Sequence, residues 1–161
     1  MDPLYCLYIS ISGNTRSFMQ RLKEYALQLH TINPDHNPDQ DYPLIDLKEI
    51  SDQSIPAREG RPFFVFVPTY LDGGNGFETG TTEVMTNSFG EYLLDGDNTD
   101  LVMGVVGSGN KNFNEQYCLT ARKYAKECHS EVIGDYELRG TDEDIERIYH
   151  QLVQVAKNYR K

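Results

Sequence analysis

Two kinds of apolar pattern alternate along this chain. Leu4 to Ile9 is a short, nearly continuous apolar run, whereas Phe18, Leu22, Tyr25, Ala26 and Leu29 recur at the spacing of one buried helical stripe. The pattern predicts a strand, then a helix from about Thr15 to about His30. Asn33 to Asp39 carries two prolines among turn formers and predicts an exposed connection. Leu44 to Leu47 reads as a short strand. Lys48 to Arg61 has no apolar periodicity and is broken by Pro56 and Gly60, so a loop with at most a turn of helix is expected.

Phe63 to Val67 is apolar on both faces and rich in β-formers, as a central strand of a parallel sheet covered on both sides requires. Pro68 should end it, and Thr69 to Gly76 should follow as a loop that can bring backbone close to a ligand. A helix is expected around Thr82 to Leu94. Leu101 to Val106 is a second fully apolar strand, followed by a polar loop from Gly107 to Asn114 and a helix through about Cys128. Val132 to Leu138 is the fifth strand candidate. Thr141-Asp142-Glu143-Asp144 opens a last helix with a hydroxyl cap and an acidic first turn, and Ile145, Ile148, Tyr149, Leu152, Val155, Ala156 and Tyr159 form its stripe. That acidic run is better explained by the helix dipole than by a metal.

Strands alternating with helices imply an α/β fold: a five-stranded parallel sheet with right-handed crossovers and helices on both faces, the helix between the second and third strands short or missing. Ligands on such sheets sit beyond the carboxyl ends of the strands. At that edge the first strand runs into Ser10-Ile11-Ser12-Gly13-Asn14-Thr15 and then into the first helix. Backbone N–H groups and the positive end of a helix dipole converge there, with hydroxyl and amide side chains beside them, so an anion is the natural occupant. The pyrophosphate pattern G-x-G-x-x-G and the triphosphate pattern G-x-x-x-x-G-K-[ST] are both absent. One glycine among hydroxyl residues suits a compact phosphate monoester, with no lysine needed for charge. An ordinary helix start capped by Ser12 or Asn14 is the simpler account of the hexapeptide alone.

With 161 residues the chain is read as a single domain over residues 1–161. Such a chain buries about two thirds of its unfolded surface and needs no disulfide staple. Three cysteines, Cys6, Cys118 and Cys128, form no C-x-x-C pair and fit a reducing compartment. The start of the chain lacks a signal-peptide pattern and no apolar run approaches membrane-spanning length, so a soluble, cytoplasmic protein is expected. Fifteen Lys plus Arg against 25 Asp plus Glu give a net charge of -10, which opposes binding to nucleic acid or an anionic membrane. The four histidines form no ligand array, and no metal site is expected.

Longer motifs narrow the reading. The hexapeptide from Ser10 resembles the phosphate loop of flavodoxins. Gly104 to Phe113, GVVGSGNKNF, and Tyr136 to Thr141, YELRGT, look like the NrdI family, the flavodoxin partners of class Ib ribonucleotide reductase. The resemblance spans nearly the whole chain and is weakest over residues 31–61 and 76–90. It implies a flavodoxin-like fold with FMN as cofactor. Ser10, Ser12, Gly13, Asn14 and Thr15 would hold the phosphate. Tyr70, Gly73 and Gly74 would lie along the isoalloxazine, and Ser108, Gly109, Asn110, Asn112 and Phe113, with Tyr117 beside them, would line the pyrimidine side. Lys111 is a candidate for tuning the flavin.

The resemblance further implies a redox-active accessory flavoprotein that takes electrons from a flavodoxin/NrdI reductase or other donor. Its reduced flavin would react with dioxygen to give superoxide or a related oxidant. That oxidant would serve assembly of the dimanganese–tyrosyl radical cofactor in the class Ib small subunit. Two rivals are a general one-electron carrier and a non-catalytic, phosphate-sensing receiver module. The carrier should surround the ring with acidic residues, but Gly107 to Tyr117 contains Lys111 and Glu115 and sums to zero. The receiver needs an aspartate at the end of the third strand, where Val67 and Pro68 stand.

Overall fold

The computed structural model describes residues 2–9, 13–32, 42–51, 55, 57–68, 70–72, 82–84, 92–93, 95–109 and 119–159, with backbone alone for 70–72, 82–84, 119 and 120. In chain order the elements are β1 (Leu4–Tyr8), α1 (Asn14–Ile32), β2 (Ile45–Glu49), β3 (Phe63–Pro68), β4 (Tyr70–Asp72), β5 (Thr82–Val84), a 3-10 turn (Asn98–Leu101), β6 (Val102–Gly109), α2 (Leu119–Glu127), β7 (Val132–Glu137) and α3 (Asp142–Asn158). Five strands form one sheet in the order β2-β1-β3-β6-β7. Every pairing in it is parallel. The five apolar runs thus become the five strands expected, with the buried Phe63–Pro68 in the middle. Counted within the sheet, the order is 2-1-3-4-5, which reverses direction between β1 and β3 and opens a crevice at their carboxyl ends.

Strand periodicity divides the core. Cys6, Tyr8, Phe64, Phe66, Val106 and Tyr136 face Phe18, Met19 and Leu22 of α1 and Ile145, Ile148, Tyr149 and Leu152 of α3. On the other face Leu7, Phe63, Val65, Val67, Val102 and Val105 meet Tyr92, Leu93 and Ala121, Tyr124 and Ala125 of α2. The predicted stripes on α1 and α3 face this core, except for Tyr159, which lies past the end of α3 and donates its hydroxyl to Asp100 O at 3.2 Å. Thr141 caps α3 in a reciprocal box: its Oγ1 accepts from the Asp144 N–H at 3.2 Å and Asp144 Oδ2 accepts from the Thr141 N–H at 2.8 Å. These bonds give Asp144, one member of the acidic run, a capping role.

Three expectations need correction. The segment around Thr82 to Leu94 does not start as a helix: Thr82–Val84 is a strand, antiparallel to Tyr70–Asp72, so part of the expected loop after Pro68 is also strand. Thr82 and Val84 are β-branched, and cross-strand backbone bonds satisfy them better than a helical turn would. Only Tyr92 and Leu93 are helical among the described residues of that stretch, and residues 85–91 lie outside them. The third correction is that β6 runs on through Gly107 and Ser108 to Gly109, where a loop was expected. β3 supplies ladder partners as far as Ser108 and β7 as far as Gly109.

Between β2 and β3 the described residues contain no helix, as expected, and a polar cluster fastens the segment instead. Glu59 Oε1 accepts from Lys48 Nζ at 2.9 Å and from the Tyr92 hydroxyl at 2.5 Å, while Oε2 accepts from the Tyr5 hydroxyl at 2.8 Å. The buried Asn98 accepts from the Glu59 N–H and donates to Ala57 O and Tyr92 O. Four distant segments are tied there by side chains rather than by a helix.

Candidate functional site

The carboxyl ends of β1, β3, β6 and β7 lie along one edge, with Pro68 beside Ser108 and Gly109 beside Glu137 in the ladders. At that edge α1 starts. Gly13 has φ +91°, a conformation that a side chain would strain, and its carbonyl accepts from the Ser17 N–H at 3.0 Å. The first turn of this 19-residue helix contains no acid, so no carboxylate of that turn offsets the positive end of its dipole.

Thr15 is fully buried, and its Oγ1 has no hydrogen-bond partner among the described residues. Leaving a buried hydroxyl unpaired costs about 1–3 kcal/mol, so its retention at the mouth of a helix dipole points to a ligand oxygen. Asn14 sits beside it, and its Oδ1 accepts from Arg139 Nε at 3.0 Å. Gly13, Asn14 and Thr15 thus place backbone N–H groups, an amide and a hydroxyl together at the helix start, an arrangement that could hold an anion. Two nearby arginines are already engaged. Arg16 makes a fork on Glu49, Nε to Oε1 at 2.7 Å and Nη2 to Oε2 at 3.0 Å. Arg21 reaches from α1 to Arg139 O at 2.9 Å, Gly140 O at 3.2 Å and Asp142 Oδ1 at 3.2 Å.

Ser108, nearly buried, and Gly109 end β6 on the same edge, and Gly109 O accepts from the Leu138 N–H at 2.9 Å. Tyr70 is in β4, described by its backbone. Ser10, Ser12, Gly73, Gly74, Asn110, Lys111, Asn112, Phe113 and Tyr117 lie outside the described residues. Sequence reasoning had no role for Arg139, although it lies within YELRGT. It meets Asn14 across 125 positions of chain, a distance over which residue spacing carries no signal. The β7–α3 turn brings it there through Leu138 and Gly140, with φ of +56° and +73°.

Comparison with known proteins agrees with this fold. Residues 6–150 match the family described as NrdI flavodoxin-like. A protein named NrdI-like from Streptococcus pyogenes serotype M18 is 43% identical over 153 residues, covering 95% of this chain and 94% of that protein. Protein NrdI of Bartonella tribocorum is 30% identical over 157 residues, 92% of this chain and 98% of its own. Among solved structures, a short-chain flavodoxin associated with a bacterial microcompartment superposes with a TM-score of 0.63 at 19% identity, covering 98% of this chain and 99% of that one. A flavodoxin from Streptococcus pneumoniae gives 0.61 at 19% identity, covering 97% and 99%. At that identity the two share the fold. No helix among the described residues is long and apolar enough to cross a membrane.

Proposed function

The chain belongs to the NrdI flavodoxin-like family, and from that premise we propose that it is a cytoplasmic, single-domain FMN protein that serves the class Ib ribonucleotide reductase. The observation that carries the cofactor reading is the buried, unpartnered Thr15 hydroxyl at an acid-free helix start behind Gly13. Donors converge there, as a phosphate monoester needs, and the residues fit FMN better than a pyrophosphate or triphosphate ligand.

Ser10, Ser12, Gly13, Asn14 and Thr15 would hold the phosphate by hydroxyl, amide and backbone N–H donors. Tyr70, Gly73 and Gly74 on one side, and Ser108, Gly109, Asn110, Asn112, Phe113 and Tyr117 on the other, would position the ring and set its exposure. Lys111 would add positive charge near the ring, where it favours an anionic reduced state. Bound FMN would supply the redox chemistry, passing electrons from a reductase to dioxygen to form superoxide or a related oxidant. The protein would dock on the small subunit so that the oxidant reaches the partner's dimanganese site, where the tyrosyl radical forms, without crossing bulk water.

The test is reconstitution. Reduced protein mixed with the manganese-loaded small subunit and then exposed to oxygen should generate tyrosyl radical by electron paramagnetic resonance, and fully oxidised protein should not. No radical above an oxygen-only control, with FMN bound and the complex formed, would overturn this function and favour a general electron carrier. A purified protein that neither is yellow nor binds added FMN would overturn the cofactor reading itself.

A further inference from the structure

We propose that Arg139 is the charge partner and the orienting residue of the phosphate cradle, making the site selective for a dianionic phosphate monoester. The inference rests on the FMN reading and assigns within it a residue outside the phosphate loop. Three observations carry it.

The first is the direction of one hydrogen bond. Arg139 Nε–H donates to Asn14 Oδ1 at 3.0 Å, which occupies the amide's acceptor and leaves its NH2 group as the end that can turn to the cradle. An anion needs donors, and Arg139 selects the donor end of Asn14.

The second is charge. Arg16, Arg21, Arg61 and Arg147 each have a carboxylate within 4 Å, whereas Arg139 has none among the described residues. In a chain of net charge -10 this leaves a guanidinium with an unneutralised charge beside a helix N-terminus and the unpartnered, fully buried Thr15 hydroxyl. The absence of a lysine from the phosphate loop is thereby made good from the far end of the chain.

The third is how firmly residue 139 is held. Leu138 carries a left-handed φ of +56° that costs a non-glycine residue energy, and its N–H is fixed on Gly109 O. Gly140 N–H donates to Glu137 O at 2.9 Å, and Arg21 grips the carbonyls of Arg139 and Gly140. The turn is over-determined from three sides, and what it presents to the cradle is the Arg139 side chain.

The experiment titrates the flavin-free full chain with FMN, riboflavin and inorganic phosphate at low and high salt, for wild type, Arg139→Gln, Arg139→Lys, Asn14→Ala and the Arg139→Gln/Asn14→Ala pair. Arg139→Gln should weaken FMN about tenfold or more, leave riboflavin unchanged and flatten the salt dependence of FMN binding. Lys should restore part of the affinity because it returns the charge without the fork. The double variant should lose less than the two single losses combined, since both act through Asn14. Equal weakening of FMN and riboflavin would reduce Arg139 to a structural part of the turn and overturn the proposal, as would an unchanged FMN affinity. If wild type binds neither flavin, the functional reading fails, and the phosphate arm still judges Arg139. Thermal stabilisation by inorganic phosphate that is lost in Arg139→Gln sustains its role as an anion ligand, and stabilisation equal in both refutes it.

Discussion

The Phe18 ring lies flat on that of Tyr136, centroids 3.7 Å apart and planes within 6°. One residue belongs to the start of α1 and the other to the end of β7, so this stack fixes the helix that carries Asn14 and Thr15 against the strand that leads into Arg139. Gly140 completes the joint. A Cβ there would lie 2.7 and 2.8 Å from Phe18 Cδ2 and Cε2, in a backbone conformation of φ +73°.

Phe18→Ala should therefore destabilise the protein by about 3–5 kcal/mol, the usual loss for a buried aromatic. Gly140→Ala should cost about 1–3 kcal/mol through strain and overpacking. Both should weaken FMN binding beyond what Tyr25→Leu, farther along α1, does. Urea denaturation and flavin titration on the same variants measure the two effects, and an undisturbed affinity in Gly140→Ala would mean that the turn does not support the cradle.

The Glu59 cluster makes stability pH-dependent at both ends. Burial opposes the charge on Glu59, but hydrogen bonds from Tyr92, Lys48 and Tyr5 outweigh it and hold its carboxyl below the usual range. A lowered folded-state pKa gives stability that is present at neutral pH and is lost as pH falls through the carboxylate range. Tyr5 moves the other way: burial and the bond to Glu59 push its phenol up to about 12, so its contribution is complete below about 10 and is lost as pH rises toward that value. Glu59→Gln should cost about 2 kcal/mol at pH 7 and flatten the acid limb, while Tyr5→Phe should flatten the alkaline limb and, by removing one donor to Glu59, reduce the acid limb to a smaller extent. Denaturation midpoints across pH decide it, and limbs unchanged in both variants would contradict the assignment.

Where the core depends on periodicity, the sequence is a good guide. Phe63 to Val67 alternates between two buried faces, and the stripes of α1 and α3 meet one of them, so the strand count and layering follow from local pattern plus the crossover rule. Thr82–Val84 misleads because its fate depends on pairing with Tyr70–Asp72, a partner that composition does not announce. Gly107 to Gly109 misleads for a related reason: glycine and serine look like loop until β3 and β7 hold Gly107 and Ser108 from both sides and β7 holds Gly109. Gly13, Asn14 and Thr15 stand out in the sequence because one local motif combines a turn glycine with a helix start. Arg139 does not, because its contact with Asn14 exists only after the β7–α3 turn is folded onto Phe18.

Thr15 separates stability from function. Its hydroxyl is fully buried and unpartnered, so Thr15→Val, which keeps the shape and removes the polar atom, should leave the flavin-free protein as stable or more stable by about 1 kcal/mol. The same change removes a hydrogen bond to a charged acceptor and should weaken FMN about tenfold or more. Thr15→Ser, which keeps the hydroxyl and loses a methyl, should show the reverse: lower stability from the small void and an affinity close to wild type. Few substitutions are expected to raise stability while lowering affinity, and that opposition is the signature of an atom retained for its ligand. Calorimetry of the flavin-free variants beside fluorescence titration with FMN reads both quantities. A destabilised Thr15→Val with unaltered affinity would show that the hydroxyl is satisfied within the protein and that the phosphate binds elsewhere.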